Sequence, residues 1–215
     1  MWSDTRYLKK DGELMKYIIL LSPLLIILSA CGNQNMRPIA TVEQVDIDRF
    51  MGDWYVIANI PTFIETDAYN AIESYAMNDD GTIATTFTFH DGAPDGELKT
   101  YKPTGFIVDE QSNALWGMQF IWPFKAEFRI IYLDDEYQTT IIGRSKRDYV
   151  WLMSRQPVIE DSSYSSLLAF MESQGYDISK VQKVPQIWSD TSTTDRPVTD
   201  NTITTHSIKN DGGAK

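Results

Sequence analysis

YNAIESYAM (Tyr69–Met77), NDDG (Asn78–Gly81) and TIATTFTF (Thr82–Phe89) follow one another without interruption. Two runs rich in β-branched and aromatic residues, joined through Asp-Gly, read as an antiparallel hairpin, because Asp-Gly supplies the positive-φ backbone of a tight turn. The same pattern extends outward in both directions. Upstream, Trp54–Ile60 reads as a strand ended by Pro61, with a mixed loop running to Ala68. Downstream, His90–Gly96 turns into Leu98–Asp109, Glu110–Asn113 into Ala114–Ile121, and Trp122-Pro123-Phe124 into Ala126–Leu133. Asp134-Asp135-Glu136 then leads to Tyr137–Gly143, and Arg144–Asp148 to Tyr149–Ser154. Consecutive strands with mostly short links are antiparallel neighbours. Closing them on themselves removes the exposed edges, so the expected fold is all-β: an eight-stranded antiparallel up-and-down β-barrel.

Beyond the last strand, Asp161 or Ser162 is the predicted cap of an α-helix running to about Ser173, with Gly175 as its stop. Tyr164, Leu167, Leu168 and Met171 fall at i, i+3, i+4 and i+7, which gives one apolar stripe. The outer wall of the barrel is the surface available to bury it. Asp46–Met51 is a shorter amphipathic turn, expected to plug one end of the barrel.

The start of the chain has a different character. The apolar run Tyr17–Ala30 follows Met15-Lys16 and closes on Leu28-Ser29-Ala30-Cys31, which holds the single cysteine of the chain. A basic start, a short apolar run and small residues before the break read as a secretory signal too short to span a bilayer. The ending resembles the lipobox of bacterial lipoproteins, and that resemblance implies lipidation of Cys31 and cleavage before it. Gly32, where the lipoprotein signal for inner-membrane retention would be Asp, points to the outer membrane. Asp4, Asp11 and Glu13 do not suit a signal, so Met15 is the expected start and residues 1–14 a misassigned one. The expected layout is a signal peptide over 15–30, a lipidated linker over 31–44, the barrel domain over 45–188, and a polar tail over 189–215. That tail is too poor in large apolar residues to offset its ordering entropy and reads as disordered.

Charge narrows the partners. Removing residues 1–30 takes four basic and three acidic residues from totals of 19 and 30, which leaves a net charge of −12. So acidic a chain suits neither nucleic acid nor an anionic lipid surface, so the acyl anchor is what would hold it to the membrane. With Cys31 committed to lipid, no disulfide or catalytic thiol remains.

Gly52-Asp53-Trp54-Tyr55, opening the first strand, resembles the Gly-x-Trp signature of the lipocalins. Leu133-Asp134-Asp135-Glu136-Tyr137 is similar to the family's Thr-Asp-Tyr hairpin, with Leu in place of Thr, and Arg155 matches its third signature residue. Together with the lipobox, these motifs resemble the bacterial outer-membrane lipocalins of the Blc type. The resemblance implies a ligand-holding barrel that serves lipid transport, storage or envelope repair. Physical reasons support the signature residues: the indole of Trp54 can seal the narrow end of the barrel, and the Arg155 guanidinium can lie over it, a cation–π contact of roughly 0.5–2 kcal/mol.

Strand alternation nominates the ligand-lining residues: Val56 and Ala58; Ile83, Thr85 and Phe87; Trp116, Met118 and Phe120; Phe128, Ile130 and Tyr132; Trp151 and Met153. A one-residue slip would invert any of these rows, and core packing is the simpler reading of each. An apolar, Met-bearing pocket suits the acyl chain of a fatty acid or lysophospholipid. Tyr132, Tyr149 and Arg129 are nominated for a head group at the mouth, and the loop Thr62–Ala68, with Phe63 and Ile64, as a lid. A barrel filled by its own side chains, acting as a periplasmic interaction or scaffold lipoprotein, is the alternative.

Enzyme chemistry has little support. With His90 and His206 as the only histidines, neither a Ser-His-Asp triad nor a multi-His metal site can be assembled, and no cofactor is expected. His90 is assigned to a surface turn rather than to haem. The pairs Asp79-Asp80 and Asp134-Asp135 sit in turns, where they serve the backbone. The sequence leaves monomer and homodimer open.

Overall fold

The computed structural model describes residues 38–188. A one-turn helix α1 (Ile47–Phe50) leads into the strands β1 (Gly52–Ile60), β2 (Ala68–Met77), β3 (Ile83–Asp91), β4 (Glu97–Tyr101), β5 (Thr104–Ile107), β6 (Leu115–Ile121), β7 (Phe124–Leu133), β8 (Thr139–Gly143) and β9 (Val150–Ser154). Helix α2 (Asp161–Ser173), a 3₁₀ turn (Ile178–Lys180) and the short strand β10 (Gln182–Lys183) follow. The predicted signal, Cys31 with its predicted lipidation, Gly32 and the tail from residue 189 lie outside the described residues.

Strands β4 and β5 are two halves of one path. Both pair with β3, from Asp91↔Glu97 through Phe87↔Tyr101 to Ile83↔Gly105. The single strand expected over Leu98–Asp109 is broken at Lys102-Pro103, because Pro103 has no N–H to give to the ladder. Taken as one, they complete eight antiparallel strands, and pairing of β1 with β9 closes the barrel. The hairpin that opened the sequence reading forms as β2–β3, though its connection spans residues 78–82 rather than a two-residue turn, with Gly81 at φ +80°. His90 and Asp91 belong to β3 instead of the following turn.

Bulges interrupt the alternation at decisive places. Val56 pairs Met153 and Ala58 pairs Leu152, so Ile57 is an extra residue in β1. Ile130 pairs Ile142 and Tyr132 pairs Ile141, which makes Ile131 the extra residue in β7. An extra residue flips the inward parity of everything beyond it. A third irregularity, at Asn70-Ala71 in β2, lets β1 and β2 diverge. The C-terminal segment repairs that seam. Gln186 Nε2 donates to the carbonyls of Val56 and Ala71, and Asn70 Nδ2 donates to Ile187 O at 2.8 Å. β10 pairs with Ala58 and Asn59 beside them. These bonds satisfy backbone groups that the widened ladder leaves open.

Helix α2 buries Leu167 and Met171 against Tyr55, Ile57, Ile131, Ile141 and Leu152 on the outer wall, with Tyr164 and Leu168 half-buried. The stripe therefore packs where its spacing requires, and each fully buried aliphatic contributes roughly 1.5–3 kcal/mol. The helix N-cap is Glu160, which makes no side-chain capping bond, rather than Asp161 or Ser162. Gly175, at φ +89°, ends the helix as expected.

The opposite end of the barrel is sealed. Asp46 caps α1, and Phe50 points inward beneath Trp54, Tyr75 and Trp116, with ring centroids 5.0–5.6 Å apart. Trp116 stacks on Phe128 at 4.9 Å, so five rings form a solid floor. The Arg155 guanidinium lies 3.8 Å from the Trp54 ring centroid. It donates to the carbonyls of Asp53, Arg49, Phe50 and Met51 at 2.7–2.9 Å. Burial draws its pKa down to about 10, which leaves it charged at neutral pH. Tyr137 belongs to the same end: its Oη accepts from the Asp46 N–H, and Arg49 stacks on its ring at 4.0 Å. Asp134 Oδ1 accepts from the N–H groups of Glu136 and Gln138, holding the hairpin that carries Tyr137. Gly52, at φ +91°, starts β1 directly below Arg155.

Candidate functional site

With one end plugged, the other end is the way in. In an up-and-down barrel, the β1–β2, β3–β4, β6–β7 and β8–β9 connections share one rim. Large apolar side chains stand exposed there: Phe63 in the β1–β2 loop, and Phe120, Ile121, Trp122 and Phe124 at the β6–β7 tip.

The rim opens onto an inner wall that the predicted lining rows describe in part. Val56, Ile83, Phe87, Trp116, Met118, Phe128, Ile130 and Met153 all belong to the interior cluster, with Trp151 partly buried against it. Thr85 faces inward too, and its hydroxyl meets the Met118 sulfur at 3.7 Å. Trp116 and Phe128, however, are spent on the floor. Three predictions are corrected. Ala58 and Tyr132 lie beyond the β1 and β7 bulges and pack on the outer wall, Tyr132 against Phe170 of helix α2. Phe120 is half-exposed on the rim rather than inside. Of the residues nominated for a head group, Arg129 is tied on the outside to Glu127 and to Ile39 O, and Tyr132 is under the helix. Tyr149 stays near the rim, its ring tilted against Trp151 with centroids 6.3 Å apart.

Sequence reasoning missed the polar part of the wall. In the register Trp54↔Glu73↔Phe87, Glu73 sits between two inward aromatic residues and therefore faces inward itself. Its neighbour two positions on, Tyr75, is buried, with its hydroxyl beside the Glu73 carboxyl. Nearer the rim, Asn59 pairs with Trp151 across the β1–β9 ladder, and its buried side-chain amide lies beside the Glu65 carboxyl. Glu65, 4 % exposed, turns in from the β1–β2 loop. It accepts from Thr62 N–H at 3.0 Å, from Thr62 Oγ1 at 2.9 Å and from Trp151 Nε1 at 3.2 Å. The segment drawn as a lid thus splits in role: Phe63 stands in solvent while Glu65 is anchored inside.

Two carboxyls in a low-dielectric interior cannot both ionise cheaply. Burial raises the Glu65 pKa, and the Thr62 and Trp151 hydrogen bonds oppose the shift. Burial pushes Glu73 up to about 8; a hydrogen bond from Tyr75 opposes the shift and the Glu65 charge adds to it. Tyr75 is raised well above its ordinary value, first by burial and then by Glu73. Glu73 nonetheless keeps part of its surface accessible, as does Trp151.

Two clefts of about 330 Å³ each lie elsewhere, along helix α2: one beside Tyr132 and Phe170, the other between Ile57, Tyr164 and Lys183. They are seams between helix and wall, remote from the inner residues. His90, paired with Leu98 on β3 and bonded through Nδ1 to Gly96 O at 2.9 Å, alternates outward from Phe89. Among the described residues no group of three or more His, Cys, Asp or Glu is placed to hold a metal ion.

Comparison with known proteins agrees with this architecture. The lipocalin-like domain model matches residues 45–186. Temperature-induced lipocalin-1 of Arabidopsis thaliana is 29% identical over 159 residues, covering 70% of this chain and 84% of the relative. Outer membrane lipoprotein Blc of Escherichia coli K12 is 28% identical over 151 residues, with the same coverage of 70% and 84%. Among solved structures, insecticyanin of the tobacco hornworm Manduca sexta superposes with a TM-score of 0.55 at 16% identity, over 71% of this chain and 85% of that one. Lobster apocrustacyanin A1 does so with a TM-score of 0.53 at 14% identity, over 66% and 79%. The plugged floor with its Trp54–Arg155 stack, the eight-stranded closure, the helix on the wall and the family match lead to one conclusion: this chain is a lipocalin, of the kind that includes the Blc outer-membrane lipoproteins.

Proposed function

We propose that the protein is a lipid carrier held to the outer membrane through an acylated Cys31, taking one single-chain lipid, a fatty acid or a lysophospholipid, into the barrel from the rim. It would serve lipid transport, storage or maintenance of the envelope under stress. The observation that carries the reading is the asymmetry of the barrel. Five rings and Arg155 close one end, while at the other the inner wall stays partly accessible beneath a rim of exposed aromatic side chains. Burying a sixteen-carbon chain is worth up to about 13 kcal/mol at about 0.8 kcal/mol per methylene, from which ordering costs are subtracted. A bilayer offers nearly the same gain. Net transfer between membrane and barrel is then close to balance, which suits a carrier better than a sink. The proposed anchor is supported by the name outer membrane lipoprotein that the Blc relatives bear.

Titration of a soluble chain beginning at Gly32 with palmitate and with a lysophospholipid tests this. Trp151, half-buried near the mouth, is the expected fluorescent reporter, whereas Trp116 is locked in the floor and silent. Saturable one-to-one quenching that disappears in Trp151→Phe, while calorimetry still detects binding, is the expected result. A flat response by both methods in delipidated protein would favour the scaffold alternative. For the anchor, Cys31→Ser is expected to abolish metabolic labelling with palmitate and release the protein from membranes, and Gly32→Asp to move it to the inner membrane. Labelling that survives Cys31→Ser would refute acylation at that residue.

A further inference from the structure

Resting on the reading of the protein as a lipid carrier anchored through Cys31, we infer that the β6–β7 tip is a membrane wedge. Phe120–Phe124 enter the interface of the phospholipid bilayer that holds the anchor, and the bases of the neighbouring β8–β9 connection lie on the lipid phosphates.

The first observation is the tip itself. Phe120-Ile121-Trp122-Pro123-Phe124-Lys125 are six consecutive exposed residues, five of them apolar. Ile121 pairs with Phe124, so Trp122-Pro123 form the turn. Phe120 and Ile121 are successive residues of β6 that point to opposite faces, and both are exposed, so the tip is apolar on both sides. Trp122 is 82 % exposed, Phe124 76 % and Ile121 73 %. A projecting apolar patch with polar surroundings marks an interaction site, and Trp beside Lys is the composition that suits the boundary between head groups and acyl chains.

The second observation is how charge divides around the rim. The β6–β7 and β8–β9 connections carry Lys125, Arg144, Lys146 and Arg147 against Glu127 and Asp148. Both acids are already paired, Glu127 with Arg129 and Asp148 with Arg144. Ser145 N–H donates to Glu127 Oε2 at 2.8 Å, which holds the basic connection beside the apolar one. The β1–β2 and β3–β4 connections carry Glu65, Asp67, Asp91, Asp95 and Glu97 and no base. In a chain of net charge −11, the only basic part of the rim thus adjoins its most apolar part. Phosphate-bearing lipid complements that half and is repelled by the other, so the barrel leans on its β6–β9 side.

The third observation is reach. The chain before α1 runs along the outside of β7: Val42 N–H donates to Ile130 O, and Ile39 O accepts from Arg129 Nη1 at 3.0 Å. From Arg129 to Phe124 is five residues of strand, about 17 Å. From Ile39 back to Cys31 is eight residues, which span up to about 27 Å when extended. An acyl group on Cys31 and the tip can therefore enter the same leaflet. The anchor keeps the tip at high effective concentration over the surface, so a contact too weak to hold the protein alone is populated.

The test places the full chain, purified from membranes, in vesicles of phosphatidylethanolamine with a minority of phosphatidylglycerol. Trp122 is the one tryptophan among the described residues that stands fully in solvent, and its emission is isolated as the difference between wild type and Trp122→Phe. The expected result is quenching of that emission by phospholipids brominated in the acyl chain. Its quenching by acrylamide falls at least about threefold relative to Cys31→Ser protein in buffer. Ile121→Ser with Phe124→Ser, which alters exposed side chains alone, restores the acrylamide access. Trp122 that stays open to acrylamide on vesicles overturns the inference. So does Trp122 shielded from acrylamide yet untouched by brominated lipid, the result if a protein partner or a second copy covers the tip. Lipid quenching that persists in Trp122→Phe and vanishes in Trp151→Phe locates the lipid in the barrel alone; it overturns the wedge and leaves the carrier reading standing. Protein that does not float with the vesicles overturns both anchor and wedge.

Discussion

Arg155→Ala is expected to lower the stability of the barrel by roughly 2–4 kcal/mol, and Trp54→Ala by about 3–5 kcal/mol, with ligand preference preserved in both. The magnitudes follow from what each side chain does at the floor. The Arg155 guanidinium donates to four backbone carbonyls in the α1–β1 segment while stacking on Trp54. Truncation removes a donor from each of those carbonyls, with Phe50 O keeping its bond from Trp54 Nε1. Trp54 is fully buried, and its Nε1 donates to Phe50 O at 2.9 Å. Its loss therefore opens a cavity and frees the plug together. Because the two side chains act as one unit, the double variant should cost less than the sum of the singles. Arg155→Lys is expected to recover little, since an ammonium cannot span four carbonyls as a planar fork does. Denaturant titration of the four proteins measures all of this; unchanged midpoints would mean that the stack is incidental.

Glu73→Gln is expected to change how stability depends on pH. The carboxyl has an ordinary value of 4.5 and a folded value of about 8, so the folded state keeps a proton that the unfolded chain has lost across that interval. Stability contributed by that proton is complete below about pH 4.5, falls by up to about 1.4 kcal/mol per pH unit above it, and is gone once pH passes 8. Water entering from the mouth moderates the effect, for a total of roughly 3–5 kcal/mol. Glu65, raised by burial, acts in the same direction, whereas Asp80, Asp109 and Asp177, lowered by hydrogen bonds from neighbouring Thr or Ser residues, act in the opposite one. These groups are common to both proteins, so the difference between wild type and Glu73→Gln isolates one carboxyl. The variant should equal or exceed wild type at pH 8 and lose that advantage by pH 5. Parallel profiles would place the Glu73 carboxyl in a solvated setting.

The contrast between floor and wall explains what the sequence could convey. Trp54, Arg155 and the Asp134–Tyr137 hairpin are tied to their places by local motifs and by a contact that bridges about a hundred residues, and their resemblance to the lipocalin signatures made them legible. The helix stripe was legible from its spacing, since a period of 3.6 survives a misjudged cap. The inner rows depend on unbroken alternation, which holds along β3 but fails where Ile57 and Ile131 are inserted and in β6 beyond Met118, where the register against β7 shifts. Nothing in Val56-Ile57-Ala58 or Ile130-Ile131-Tyr132 announces a bulge, because each residue there is equally suited to either face. Glu73 and Tyr75 were within reach: they share the parity of Ala71 in the very strand that fixed the fold, and a lone acid in that row was the available signal. Glu65 was not, for a loop carries no period from which to infer that its acid turns inward to meet Trp151.

Native mass spectrometry of the protein released gently from membranes tests the central claim most directly. An account in which the barrel carries one amphiphile predicts a bound species at one lipid per chain, displaced by an added single-chain lipid. A chain that emerges bare under the same conditions, and stays bare with lipid in excess, would contradict it.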